Sequence, residues 1–200
     1  MTRAQEHEVQ IEEGGRILRG LALPYGQTTY VLGPGRRGEK VAHGEVFDAD
    51  SLVDVGAMYG RPLLLAHDES RPIGRILATR STERGLEVEA ELLGSDEELT
   101  SIRAKAQGGV LSSMSVGFRP NRKLDKWQPP DASGLPWVLR RGAEVREISV
   151  CLWPAYDSAK VLSILARTAA ARARKEASDK EIEAAMAAVS EAKAFLKRRR

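Results

Sequence analysis

Glu83-Arg84-Gly85-Leu86-Glu87-Val88-Glu89-Ala90-Glu91-Leu92 is the stretch that decides the fold class. From Leu86 on, apolar and acidic residues alternate, so Leu86, Val88 and Ala90 share one face of a strand while Glu87, Glu89 and Glu91 share the other. Glu83-Arg84-Gly85 supplies a turn, and Ile73 to Ala78 precedes it, which together predict a hairpin with one buried face. The segments around this hairpin read in the same way. On the N-terminal side, His7 to Ile11, a turn at Glu13-Gly14-Gly15 and Arg16 to Leu23 predict another hairpin, ended by Pro24-Tyr25-Gly26. Gly33 to Gly38 reads as a loop, and Leu63 to Ala66 as a short buried strand behind Pro62.

On the C-terminal side Ser95 is placed to cap a helix with Asp96, Glu97 and Glu98 in its first turn, running to Gln107 and stopping at Gly108-Gly109. Val110 to Phe118 follows as a strand, residues 121–136 as a long loop, and Ala143 to Leu152 as the last clear strand. Ser158 to Arg174 is helical in composition. Ser178 to Glu181 fits a capping box opening a helix whose narrow stripe holds Ile182, Met186, Val189 and Leu196. Such a stripe packs on the body, a second copy or another protein. The expected organisation is therefore a β-rich α+β domain over 1–165 and a charged amphipathic helical tail over 166–200.

Composition narrows the function classes. No run of about 18 apolar residues is present, so no membrane-spanning helix is expected. The first residues are polar and lack the apolar segment of a signal peptide. One cysteine, Cys151, leaves no internal disulfide and no cysteine-rich metal site, which suits a reducing cytoplasm. Basic residues outnumber acidic ones by 31 to 28, but seven of the cations are Arg172, Arg174, Lys175 and Lys197 to Arg200, all within the tail. Without those seven the remainder is slightly acidic, 24 basic residues against 28 acidic ones, so there is no global basic surplus and nucleic acid is not the expected partner.

Three segments carry candidate chemistry. A serine hydroxyl becomes a nucleophile when a base takes its proton, usually a neutral imidazole held by a third group. Of the three histidines, His7 lies in a polar N-terminal stretch and His43 follows a Gly/Arg loop. His67 directly follows Leu63-Leu64-Leu65-Ala66, where a rigid strand can aim it. The second segment, Gly108 to Phe118, holds Ser112, Ser113 and Ser115 between glycines, which permit close backbone approach. In the third, Glu147, Ser149 and Cys151 alternate with Ile148, Val150 and Leu152. A carboxylate on a strand built for burial needs a partner. Each signal alone has an ordinary structural explanation.

Taken in order, the segments resemble the caudovirus prohead protease family, distantly similar to herpesvirus assemblin. The resemblance rests on Arg19-Gly20 to Pro24-Tyr25-Gly26, Leu64-Leu65-Ala66-His67-Asp68 with Pro72 to Arg75, Gly85 to Ala90, Met114-Ser115-Val116-Gly117-Phe118, and Glu147-Ile148-Ser149-Val150 with Pro154-Ala155. It spans roughly residues 9–165. It implies a closed or nearly closed β-barrel with flanking helices, Ser115 as nucleophile, His67 as base and Glu147 as the acid that orients it. No second histidine fills the third position of the herpes pattern.

The resemblance also implies a serine endopeptidase without metal or cofactor, working in the host cytoplasm inside the assembling procapsid. Its substrates would be the major capsid protein's scaffolding segment and the protease itself, with a homodimer as one form. Arg146 is a candidate contributor to the oxyanion site. The competing readings are a non-catalytic capsid-assembly or scaffolding protein on the same barrel, and an esterase or amidase. The latter is disfavoured because Ser113-Met114-Ser115-Val116-Gly117 is not a Gly-x-Ser-x-Gly elbow.

Overall fold

A computed structural model describes residues 10–12 and 14–165; the expected tail helices lie outside these residues. The hairpin with which the sequence reading began is present as β7 (Asp68–Thr82) and β8 (Gly85–Leu92). Their register runs from Gly74↔Leu92 to Thr82↔Gly85. Leu86, Val88 and Ala90 are buried, as the alternation requires. Gly85 has φ +144°, and a Cβ there would meet the Leu23 carbonyl oxygen at 2.1 Å, so the turn closes against the neighbouring strand only with glycine.

Around this hairpin a sheet rolls into a closed barrel. The other barrel strands are β2 (Ile17–Pro24), β6 (Pro62–Leu65), β9 (Ser113–Arg119), β12 (Ala143–Cys151) and β13 (Lys160–Leu165). Neighbours run β13-β2-β8-β7-β6-β12-β9, and β9 returns to β13. That last seam is narrow. Lys160 registers with Ser113, flanked by Met114 N–H to the Ala159 carbonyl at 3.0 Å and Val161 N–H to the Ser112 carbonyl at 2.9 Å. Closure removes the exposed edges that an open sheet presents. β1 (Gln10–Ile11) and β5 (Leu52–Val53) extend the sheet.

The interior holds Leu18, Phe47, Leu63, Ile76, Met114 and Ile148, none more than 1% exposed. Each such side chain stabilises the fold by about 1.5–3 kcal/mol relative to exposure. Leu99 and Ala106 of α1 (Asp96–Gln107) join this core. α1 begins in a complete capping box: Ser95 Oγ accepts the Glu98 N–H at 3.3 Å, and Glu98 Oε2 accepts the Ser95 N–H at 2.7 Å. It is the one α-helix among the described residues, and no helix among them is long and apolar enough to cross a membrane.

Three expectations are corrected. Among the described residues the N-terminal hairpin is not formed: β1 pairs in parallel with β13 (Gln10↔Ser163), while β2 pairs with β8 and β13. Ser158 to Arg174 is not helical where it is described, since Lys160–Leu165 is β13. The backbone edges of β2 and β9 need a partner, and this segment supplies it, burying Val161, Ile164 and Leu165. The loop read over residues 121–136 contains a strand, β10 (Lys126–Gln128), and that over Gly33 to Gly38 starts inside β3 (Thr28–Pro34); β3 forms a hairpin with β4 (Lys40–Val46), which β11 (Trp137–Leu139) and β10 extend into a second, four-stranded sheet.

Candidate active site

β12 organises the chemistry because it lies between the strands that carry the other groups. It pairs in parallel with β6 (Ser149↔Leu64, Val150↔Leu65) and antiparallel with β9 (Ser149↔Ser115, Glu147↔Gly117, Cys151↔Ser113). Residues opposite one another in an antiparallel pair share a face. Glu147, Ser149 and Cys151 therefore line one face of β12, alongside Gly117, Ser115 and Ser113 of β9.

His67 arrives from the other side. Leu65 pairs with Asp68, and the two residues between them, Ala66 (φ 54°) and His67 (φ 62°), both lie in the left-handed region, as a two-residue primed hairpin turn demands. Neither is glycine, and a left-handed residue with a side chain costs about 1–2 kcal/mol. The turn is tied to β12 by the Ala66 N–H to the Val150 carbonyl at 2.9 Å and the His67 N–H to Ser149 Oγ at 3.1 Å. His67 thus stands at a turn, not at the end of the strand itself.

From this turn His67 Nδ1 reaches Glu147 Oε1 at 2.6 Å. A carboxylate only accepts, so the neutral imidazole carries its proton on Nδ1 and leaves Nε2 with a lone pair. The hydrogen bond to Glu147 holds the imidazole's pKa above its ordinary value, against the opposing effect of partial burial. The other carboxylate oxygen, Oε2, accepts from Ser149 Oγ at 2.6 Å. Asp68, the neighbour of His67, turns away to accept from Ser70 N–H and Oγ.

Gly117 makes room for this arrangement. A Cβ on it would lie 2.3 Å from Glu147 Oε1 and 3.0 Å from its Cδ, so the carboxylate lies directly over the glycine backbone. The close approach that the glycines of this segment are expected to permit is made, at Gly117, by the Glu147 carboxylate.

The three serines separate by their partners. Ser112 Oγ donates to the Gly109 carbonyl at 2.9 Å, and Ser113 Oγ accepts from Lys160 Nζ at 3.1 Å. Ser115 faces Ser149 across the strand pair, and its hydroxyl has no hydrogen-bond partner among the described residues, His67 included. Cys151, further along the row, has its thiol pushed up to about 11 by burial and stays protonated at neutral pH. Arg146 pairs with Glu144 at 2.8 Å. His43 is buried elsewhere, with Nδ1 3.2 Å from the Val41 carbonyl and its ring 5.0 Å from that of Trp127. Among the described residues no group of three or more His, Cys, Asp and Glu side chains is arranged to hold a metal ion.

A nucleophile-type hydroxyl, an imidazole and a carboxylate on adjoining elements are the parts of acyl-transfer chemistry. Compared with known proteins, residues 3–175 match the family model described as caudovirus prohead serine protease. The chain belongs to this family. It is also similar to the prohead protease of Escherichia phage T5, with 40% identity over 57 residues. That match covers 28% of this chain and 26% of the T5 protein, so about a quarter of that relative's own length is matched. The sequence placed Ser149 on the same face as Glu147 but gave it no part in the site; which group it bonds depends on strand pairings that the sequence does not state.

Proposed function

We propose that this protein is a serine endopeptidase of procapsid maturation, with Ser115 as nucleophile, His67 as general base and Glu147 as the group that orients the imidazole. The observation that carries the reading is the 2.6 Å contact from His67 Nδ1 to Glu147 Oε1, on the face shared with Ser115. It fixes the tautomer in which Nε2 can accept a proton. In the first step Ser115 Oγ bonds to the scissile carbonyl carbon as its proton passes to His67 Nε2. The imidazolium, stabilised by Glu147, returns that proton to the departing amine as the C–N bond breaks. Water then attacks the acyl-serine with His67 again as base, and the carboxylic acid leaves. Catalytic hydrogen bonds commonly tighten only with substrate in place, which is consistent with a Ser115 hydroxyl not yet bonded to the ring.

Membership of the family supports, as the proposed substrates, the scaffolding segment of the major capsid protein and the protease itself, inside the assembling procapsid. The test is incubation with a capsid protein carrying that segment. Ser115→Ala should remove cleavage completely while leaving circular dichroism and melting unchanged. Undiminished cleavage by that variant would overturn the assignment.

A further inference from the structure

Both partners of the His67–Glu147 contact are held by one hydroxyl. Ser149 is fully buried at 0% exposure. Its Oγ donates to Glu147 Oε2 at 2.6 Å and accepts the His67 backbone N–H at 3.1 Å. A hydroxyl has one proton and two lone pairs, so both bonds form at once without conflict. The first fixes the rotation of the carboxylate, since Oε1 is held by the ring and Oε2 by Ser149. The second holds the backbone of a residue whose left-handed conformation is unfavourable for a side chain other than glycine. Without the hydroxyl, the carboxylate would lose one of its two restraints and the turn one of its two ties to β12.

We infer that Ser149 is a positioning residue that sets the distance and angle between His67 and Glu147. The role rests on the proposed catalytic reading of that pair. Ser149 lies directly opposite Ser115, yet its proton is committed to Glu147, so it acts through the pair and not on substrate. Orientation of this kind carries large rate effects: a misplacement of about 1 Å can cost about 10²-fold.

The test uses the full chain and two readouts. The first is the rate at which a fluorophosphonate labels Ser115, followed across pH. The second is the pH titration of the His67 ring by NMR in a Ser115→Ala background, where self-cleavage is absent. Around the ring the groups that can influence this titration are Glu147, Asp68 in the same turn, and Cys151 and Lys160 along the β12–β9 face.

Ser149→Ala should slow labelling about 10- to 100-fold and move the His67 midpoint down toward its ordinary value. Ser149→Thr, which keeps the hydroxyl, should restore both. Combined with Glu147→Gln, Ser149→Ala should add little further loss, because both act through one contact. Should the alanine variant not fold, Ser149→Cys, close in size and a weak donor, gives the same comparison. Labelling that falls only with the folded fraction and an unmoved His67 titration would overturn the inference, as would fully additive losses in the double variant. Labelling that survives in Ser115→Ala would count against the nucleophile assignment instead, and the His67 titration would still decide the role of Ser149.

Discussion

At the residue scale the feature with most chemical leverage is the carboxylate of Glu147, because it sets both the tautomer and the basicity of His67. The raised pKa of His67 has a definite sign in two measurements. In the proposed mechanism the base works as the neutral imidazole, so kcat/KM should rise with pH through the His67 value, at a pH above the ordinary 6.5. For stability the direction reverses: the contribution is fully present below the unfolded-state value and is lost as pH rises through the folded one. Glu147→Gln should lower kcat/KM on the order of 10²–10⁴-fold and shift the acid limb toward lower pH, as read from a pH–rate profile. A limb that stays in place would separate Glu147 from the titration. Little of this was legible in the residues themselves. Glu147 on an otherwise apolar strand signals a need for a partner, but a sequence does not say which element brings that partner. The resemblance named His67; the 2.6 Å contact arises from pairings between strands about 80 residues apart.

At the scale of elements, two local shapes hold the site, and each can be tested by one methyl group. Gly117→Ala would put a Cβ 2.3 Å from Glu147 Oε1, too close for both to stay in place. It should lower kcat/KM by about 10²-fold through displacement of the acid, with a much smaller change in melting temperature than in rate. Equal losses in both would indicate that β9 itself is disrupted. At the turn, Ala66 is exposed and left-handed, so removing its side chain relieves strain and breaks no packing. Ala66→Gly should raise unfolding stability by up to about 1 kcal/mol in urea titration. The β7–β8 hairpin and α1 were legible because their signals are local: alternation, a turn glycine, and a capping serine three residues before a glutamate. β13 was not. Lys160 to Leu165 becomes a strand because β2 and β9 both leave an edge to pair, a demand set by residues about 50 and 140 positions away. The Ala66–His67 turn escaped for the opposite reason, as it has the shape of a glycine or asparagine turn without either residue.

At the scale of the molecule, the second sheet holds a buried ionic cluster that touches the barrel through one aromatic ring. Arg140 pairs with Glu45 at 2.7 Å and Asp125 at 2.6 Å, all three side chains at most 7% exposed, and its guanidinium lies 5.6 Å from the ring centroid of Phe118 on β9. Arg140→Ala would leave two buried carboxylates without their cation and should destabilise the fold by about 3–5 kcal/mol, measured by urea unfolding. A loss below about 1 kcal/mol would mean that water replaces the guanidinium. The strand order has a further consequence, one of timing. Under the proposed assignment, the base comes from the turn after β6 and the acid and nucleophile from the neighbouring strands β12 and β9, and a shift of β9 by one residue against β12 would turn Ser115 to the opposite face. Hydrolytic competence then requires the complete β6–β12–β9 register, so a nascent or half-assembled copy without it should be chemically silent, and during refolding peptidase activity should return with that pairing and never before it.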